Sequence, residues 1–447
     1  MIRRRIALLS LLLVLVGHTR AQEGAGGDTL YPIIEQLNQD LSLYKKLKIS
    51  GYIQAQYQFA DTAGIASFAG GNFPTNSNQR FNVRRGRVKF AYGGSSSQFV
   101  LQLDLTEKGL AAKDAYGVFT DPWTRAFSLT GGLFNRPFGH EIVYSSSQRE
   151  SPERSRIYQT LFPGERDAGM MLTFQPPKTS RFNWFRADAA FFNGTGIASD
   201  FDSKKDFIGH LSINRSTKSE MFKYGLGLSY YNGGWRNGDK FYYSNIVDAG
   251  TGVMSFSKDS SNGPEIAKRE YLGADLQLSM ESPLGITTLR GEYLTGTQPG
   301  TFSSNVSPGS QPTEKTTTTA NLTTGKVSST TPNSSAVLRK FSGAVVYLTQ
   351  NIGESKHQLV AKYDYFDPNT AVKGSEIDVT GVGSSYGKLG SADIKYSTIG
   401  IGYIYKFDSN VKFTLYYDIV KNETTKVSGY TSDLKDNVFT FRVQYKF

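Results

Sequence analysis

RFNVRRGRVKFAY, residues 80–92, is the stretch on which the reading of the chain turns. At the two-residue period of a strand it sets Val83, Arg85, Arg87 and Lys89 on one side and Arg84, Gly86, Val88, Phe90 and Tyr92 on the other. Three cations share a face whose reverse turns apolar and aromatic. A soluble sheet hides its apolar face in a core, whereas a membrane barrel turns that face to lipid and keeps the polar one within. Alone, the stretch fits a basic strand of a soluble sandwich or a barrel strand whose Arg85, Arg87 and Lys89 look into a watery lumen.

The rest of the chain repeats the second pattern. From Lys48 onward a period of two predicts strands at 48–59, 80–92, 97–108, 112–121, 125–135, 167–176, 181–193, 206–215, 222–232, 268–281, 285–297, 336–350, 356–367, 393–407, 410–421 and 436–447. The connections alternate. Tight ones rich in turn residues fall at 93–96, 121–124, 176–180, 282–284 and 408–409, and long ones at 60–79, 136–166, 233–267, 298–335 and 368–392. Alternating short turns and long loops belong to an antiparallel transmembrane β-barrel of about sixteen strands, closed because lipid cannot satisfy an edge amide. In the last strand Phe439, Phe441, Val443, Tyr445 and Phe447 alternate with Thr440, Arg442, Gln444 and Lys446. A terminal aromatic in such a strand, Phe447, resembles the signal by which the barrel assembly machinery of bacteria recognises its clients.

Composition and the first residues agree. Arg3, Arg4 and Arg5 precede an apolar run at 6–16, and a small residue follows at Ala21, which reads as a signal peptide over 1–21. The run is too short to span a bilayer as a helix. Residues 22–47 carry Leu30, Ile34, Leu37, Leu41 and Tyr44 at helical spacing, the expectation being a short periplasmic helix ahead of a barrel over 48–447. With no cysteine, disulfides, lipid attachment and thiolate metal sites drop out. Of the formal charge of +11, four positive charges lie in the first 21 residues. What remains is still basic, which points to small anionic solutes and not, for an exported chain, to nucleic acid.

The loop 136–166 is rich in paired charge and apolar residues and is expected to fold inward, with a short helix starting near Ser151 and Pro152. Together with the strand before it, it resembles a known family. Arg-Arg-x-Arg at 84–87, Gly-x-Phe-x-x-Pro-Phe-Gly-x-Glu at 132–141, the serines 145–147, Glu-Arg-Ser at 153–155 and Arg-Asp-x-Gly at 166–169 look like the phosphate-selective porin O and P family. The resemblance implies a sixteen-stranded outer-membrane barrel, a homotrimer, an arginine ladder and a constriction made by the inward loop. Arg85, Arg87 and Lys89 become ladder candidates, and Arg136, Ser146, Ser147, Arg149 and Arg154 constriction candidates. Where phosphate-selective members carry a lysine after the loop serines, this chain has Gln148 and Arg149, which favours anions in general over phosphate in particular.

Further basic residues on the inward register are Arg186, Lys223, Arg290, Lys340, Lys362, Lys406, Lys412 and Arg442, tempered by Asp104, Asp188, Glu292 and Asp364. Two other readings stay open: a general or sugar-type porin with lumen aromatics such as Tyr52, Tyr116 and Trp184, and a structural or adhesive barrel with a blocked lumen. No nucleophile elbow, metal-ligand spacing or carboxylate cluster appears, so no catalytic residue, metal or cofactor is assigned.

Overall fold

Why sixteen strands must close is a matter of hydrogen bonds. Inside hydrocarbon each edge amide left without a partner costs several kcal/mol (~), so a membrane sheet can have no edge. The computed structural model describes Glu35 and residues 46–200, 202–236, 242–248, 253–259, 266–306, 319–321, 326–328, 336–378 and 386–447. The chain divides into Met1–Leu47 and a barrel unit, Lys48–Phe447. Nearly all of the first lies outside the described residues, and with it the expected signal and lead-in helix.

The barrel strands are β1 (Leu47–Ala60), β2 (Gln79–Gly93), β3 (Ser97–Thr106), β4 (Gly109–Thr120), β5 (Phe127–Asn135), β6 (Arg166–Phe174), β7 (Phe185–Phe192) and β8 (Asp206–Ser216). They continue as β9 (Phe222–Arg236), β10 (Ile266–Ser282), β11 (Gly285–Gly300), β12 (Ala336–Asn351), β13 (His357–Asp367), β14 (Tyr396–Lys406), β15 (Val411–Asn422) and β16 (Val438–Lys446). Neighbours in sequence pair in antiparallel fashion, and β16 returns to β1 with Ile53 opposite Tyr445 and Phe59 opposite Phe439. The seam is finished by Phe447, whose backbone exchanges both hydrogen bonds with Gly51, at 2.9 and 3.0 Å. Gly51 has to be glycine, since a Cβ there would lie 2.4 Å from the backbone carbonyl oxygen of Arg87.

Faces divide as the alternation demands. Ile53, Phe99, Leu105, Leu129, Leu172, Leu228, Leu272, Leu348, Ile401 and Tyr445 are exposed on the outside, while Gln54, Gln56, Gln58, Thr440, Arg442 and Gln444 are buried within. Such an exterior belongs against acyl chains. Among the described residues no helix is long and apolar enough to cross a membrane.

Four local readings are corrected. In β2 the alternation breaks at Arg84: Phe81 and Val83 lie on the exposed side, and both Arg84 and Arg85 reach the same interior carboxylate. A regular strand cannot aim consecutive side chains one way, so the strand carries an irregularity here. Its pairing with β3 begins only at Arg87. The connection from β3 to β4, expected at 109–111, is Glu107 and Lys108, so the alternation of tight and long connections fails there. In β12 it is Arg339 that is buried inside, held by Asp393, while Lys340 is exposed. Finally, part of the interior is dry. Phe138, Ile142, Ile157, Leu161 and Phe162 from the loop 136–165 pack with Tyr231, Tyr271, Phe341, Val345 and Phe366 from the wall. Each fully buried side chain of this kind contributes about 1.5–3 kcal/mol.

The outward set predicts its own test. Ile401→Arg, at the middle of β14, should cost about 2–4 kcal/mol of stability if that face meets lipid. Urea-dependent folding into liposomes measures it, and a change of a few tenths would mean that Ile401 does not face hydrocarbon.

Candidate functional site: the inward loop and the cavity beside it

The loop between β5 and β6 leaves the wall at Arg136 and folds inside because its own amides find acceptors there. Glu292 on β11 accepts the backbone N–H of His140 at 3.0 Å and of Glu141 at 2.7 Å, and also the Tyr158 hydroxyl. The turn that makes this possible is at Gly139, in left-handed conformation with φ of 63°. A Cβ there would lie 2.3 Å from both the Glu292 carboxylate and the Tyr158 oxygen, which explains the glycine of the Pro-Phe-Gly segment. Glu141 in turn takes the Ser155 N–H at 2.9 Å, the Ser155 hydroxyl at 2.6 Å and the Tyr347 hydroxyl at 3.0 Å. Ser155 precedes the one short α-helix described, α1 (Arg156–Leu161), which starts a few residues later than the expected start at Ser151 and Pro152.

The centre of the arrangement is Glu153. Its carboxylate receives Arg84 at 2.9 and 3.0 Å, Arg85 at 2.7 and 3.2 Å, and Arg442 at 3.0 Å. Burial opposes its ionisation, but the guanidiniums of Arg84, Arg85 and Arg442 overcome that and hold the carboxyl well below its usual range. Arg442 also reaches Gln56 at 2.9 Å and the Pro152 carbonyl at 2.7 Å. β2 and the last strand, β16, therefore grip the loop through one side chain. The sequence marks Glu153 as part of a Glu-Arg-Ser segment near the start of the expected short helix, with nothing to show which arginines it meets. The row Gln54, Gln56, Gln58 in β1 was the available sign that an ordered polar network faces this wall.

The constriction candidates are placed by the same network. Ser146 meets Tyr52 at 2.6 Å and Arg87 at 3.1 Å, and its carbonyl accepts Gln54 at 2.9 Å. Ser147 offers its carbonyl to Lys412 at 3.1 Å and Gln444 at 3.0 Å. Arg149 donates to the carbonyls of Ser151 and Pro152, and Arg154 to those of Glu141, Ile142 and Tyr144 as well as to Glu165. Arg136 is fully buried, over the Phe162 ring. Arg136, Arg149 and Arg154 thus tie loop to loop.

Because the loop leans on β11, β12, β15, β16, β1 and β2, space is left on the other side. A cavity of about 800 Å³ is lined by Arg87 and Lys89 of β2, Asp114 of β4, Arg166 of β6, Arg186 and Asp188 of β7, His210 of β8 and Asp275 of β10. The loop residues 144–148 form part of its facing boundary. Arg87 is paired with Asp104 at 3.2 Å, Arg166 with Asp114 at 2.9 Å and Arg186 with Asp188 at 2.7 Å. No ion pair involves Lys89 among the described residues. Of the candidate aromatics, Tyr52 is engaged by Ser146, Tyr116 packs on Phe134, and Trp184 sits in a turn under Arg215. They do not form a continuous track.

Comparison with known proteins bears on the fold. No family model matches the sequence, and no curated protein does. Among solved structures, the outer membrane channel DcaP of Acinetobacter baumannii aligns over 90% of this chain and 97% of its own, at 10% identity and a TM-score of 0.51. OmpT of Vibrio cholerae, described as a trimer form, aligns over 90% and 99% at 11% identity with a TM-score of 0.48. OmpF of Salmonella typhi in complex with daunomycin aligns over 90% and 97% at 11% identity and 0.47. A closed sixteen-stranded barrel wrapped in an apolar belt is a protein of the bacterial outer membrane.

The Glu153 cluster predicts a lock. Glu153→Gln leaves three guanidiniums facing a neutral amide, and breaking a buried charge network of this kind costs about 3–5 kcal/mol. The thermal transition of the folded barrel, followed by its gel mobility, should fall, and single-channel current should become noisier. The sign with pH follows from the depressed carboxyl. Its stabilisation is complete above the ordinary glutamate range and is lost only as pH falls through the low folded value. Wild-type current noise should therefore be the same at pH ~5 as at pH ~8, and a rise by pH ~5 would contradict the lock.

Proposed function

We propose that this barrel is a porin through which small solutes diffuse passively, with a preference for anions such as phosphate. The observation that carries the reading is the open cavity beside the loop, whose basic residues include Lys89 without a counter-ion among the described residues. One exposed cation attracts a monovalent anion by only about 1 kcal/mol at 4 Å in water, yet several in a narrow passage add to a field. Conduction is helped by this weakness, since an ion held too well does not leave. The ladder expected from the sequence divides under this proposal. Lys89 acts on solutes, while Arg85 anchors the loop through Glu153, and Arg87, buried and paired with Asp104, holds the loop at Ser146.

In this reading the tight turns face the periplasm and the long loops the outside. Assembly into a homotrimer and recognition of Phe447 by the assembly machinery belong to the same proposal, and rest on the resemblance of the loop and strand motifs. A sugar-type pore is less well supported because Tyr52, Tyr116 and Trp184 are engaged separately. A blocked adhesive barrel is opposed by the size of the cavity.

Reversal potentials across planar bilayers under a salt gradient test the proposal. The wild-type pore should pass anions more readily than cations. Lys89→Gln should lower the anion-to-cation permeability ratio by about two- to fivefold. Absence of conductance, cation preference in the wild type, or an unchanged ratio in Lys89→Gln would each count against it.

A further inference from the structure

The cavity wall also carries a histidine that a purely basic pore has no use for. His210 on β8 places Nε2 3.3 Å from Oδ2 of Asp275 on β10 and Nδ1 4.0 Å from Oδ2 of Asp188 on β7. These two carboxylates differ. Asp188 is already satisfied by Arg186 at 2.7 and 2.9 Å and by the Thr173 hydroxyl at 2.6 Å. Asp275 has no lysine or arginine in an ion pair with it among the described residues, so His210 is its one described source of positive charge. On β9 the residue opposite His210 is Ser229, which carries no charge.

We propose that His210, set between Asp188 and Asp275, makes the pore's anion preference depend on protons. With His210 neutral, Asp275 adds an uncompensated negative charge to the cavity and opposes anions. With His210 protonated, that charge is cancelled and Lys89 acts without it. Imidazole is the side chain that ordinarily changes charge between pH ~5 and pH ~8. The other histidine lining the cavity, His140 of the loop, does not compete. Burial, reinforced by the Arg290 guanidinium, pushes it down to about 4, so it stays neutral over that range. His357 lies elsewhere, bonded to Tyr403 and against Tyr405.

The inference rests on the anion-preferring reading, and one experiment separates the two. Reversal potentials under a salt gradient are measured at pH ~5.5 and pH ~8 for the wild type, His210→Asn and His210→Arg. The wild-type anion-to-cation ratio should be about two- to fivefold higher at the lower pH. His210→Asn should keep the high-pH ratio at both values, and His210→Arg should keep the low-pH ratio at both. His210→Arg also tests the idea independently should the asparagine variant fail to fold. A wild-type ratio that does not move, a step retained in His210→Asn, or a step retained in His210→Arg overturns the proposal. A pore that prefers cations at both values, but whose step vanishes in His210→Asn, would sink the anion reading and leave this one standing.

Discussion

The grip of three arginines on Glu153 is the interaction on which the form of the interior depends. A barrel of sixteen strands encloses more space than its wall side chains fill, and what remains is shaped by where the loop 136–165 lies. Five hydrogen bonds from Arg84, Arg85 and Arg442 converge on one carboxylate, and they draw the loop to the wall where β16 meets β1 and β2. The Glu292 and Glu141 networks fix the loop's start against β11 and β12. Held at both places, the loop packs apolar side chains against the wall and leaves the cavity beside them. Ionic contacts choose the position, and hydrophobic burial makes it stable.

This division changes what a row of basic residues means. A run of arginines on a lumen face invites the idea of successive stations for an anion, but an arginine that already meets a carboxylate has little field to offer. Removing a charged side chain from such a buried pair costs stability before it alters selectivity. Charge balance is therefore local. Around Glu153 positive groups are in excess yet buried under the loop, whereas Asp275, on the cavity wall, has His210 as its one described source of positive charge. Under the proposed function, selectivity is set by groups on the cavity wall such as Lys89 and not by those beneath the loop.

Much of the barrel is legible in the sequence because its code is short-range. Alternation in a strand such as Val411–Asn422 or Val438–Lys446 reports directly which residues meet lipid, and the turn residues between strands report where they end. All sixteen predicted strands coincide with observed ones, with ends displaced by a few residues. The functional interior was less legible, for a physical reason. Which arginine Glu153 meets is decided by a loop docking against residues 68 and 69 positions earlier and 289 later, and no local pattern contains that choice. The irregularity at Arg84 is of the same kind: strict alternation placed Arg84 outside, and the carboxylate drew it in. Lys340 was misassigned for a smaller reason, since Arg339 and Lys340 are adjacent and a one-residue slip exchanges the faces.

The central claim is that the interior has a wet cavity and, packed between the loop and the wall, a dry apolar cluster. Strands such as β8 and β10 contribute to both: Ile208 and Tyr271 to the cluster, His210 and Asp275 to the cavity. The sequence contains no cysteine, so single cysteines can be read without background. Gln277→Cys lies on the cavity, and Val345→Cys, at a position only 1% exposed, lies in the apolar cluster. With a membrane-impermeant charged thiol reagent and single-channel recording, Gln277→Cys should react and step the current down while Val345→Cys stays silent. Equal reaction at both positions, or reaction at Val345→Cys alone, would contradict the account.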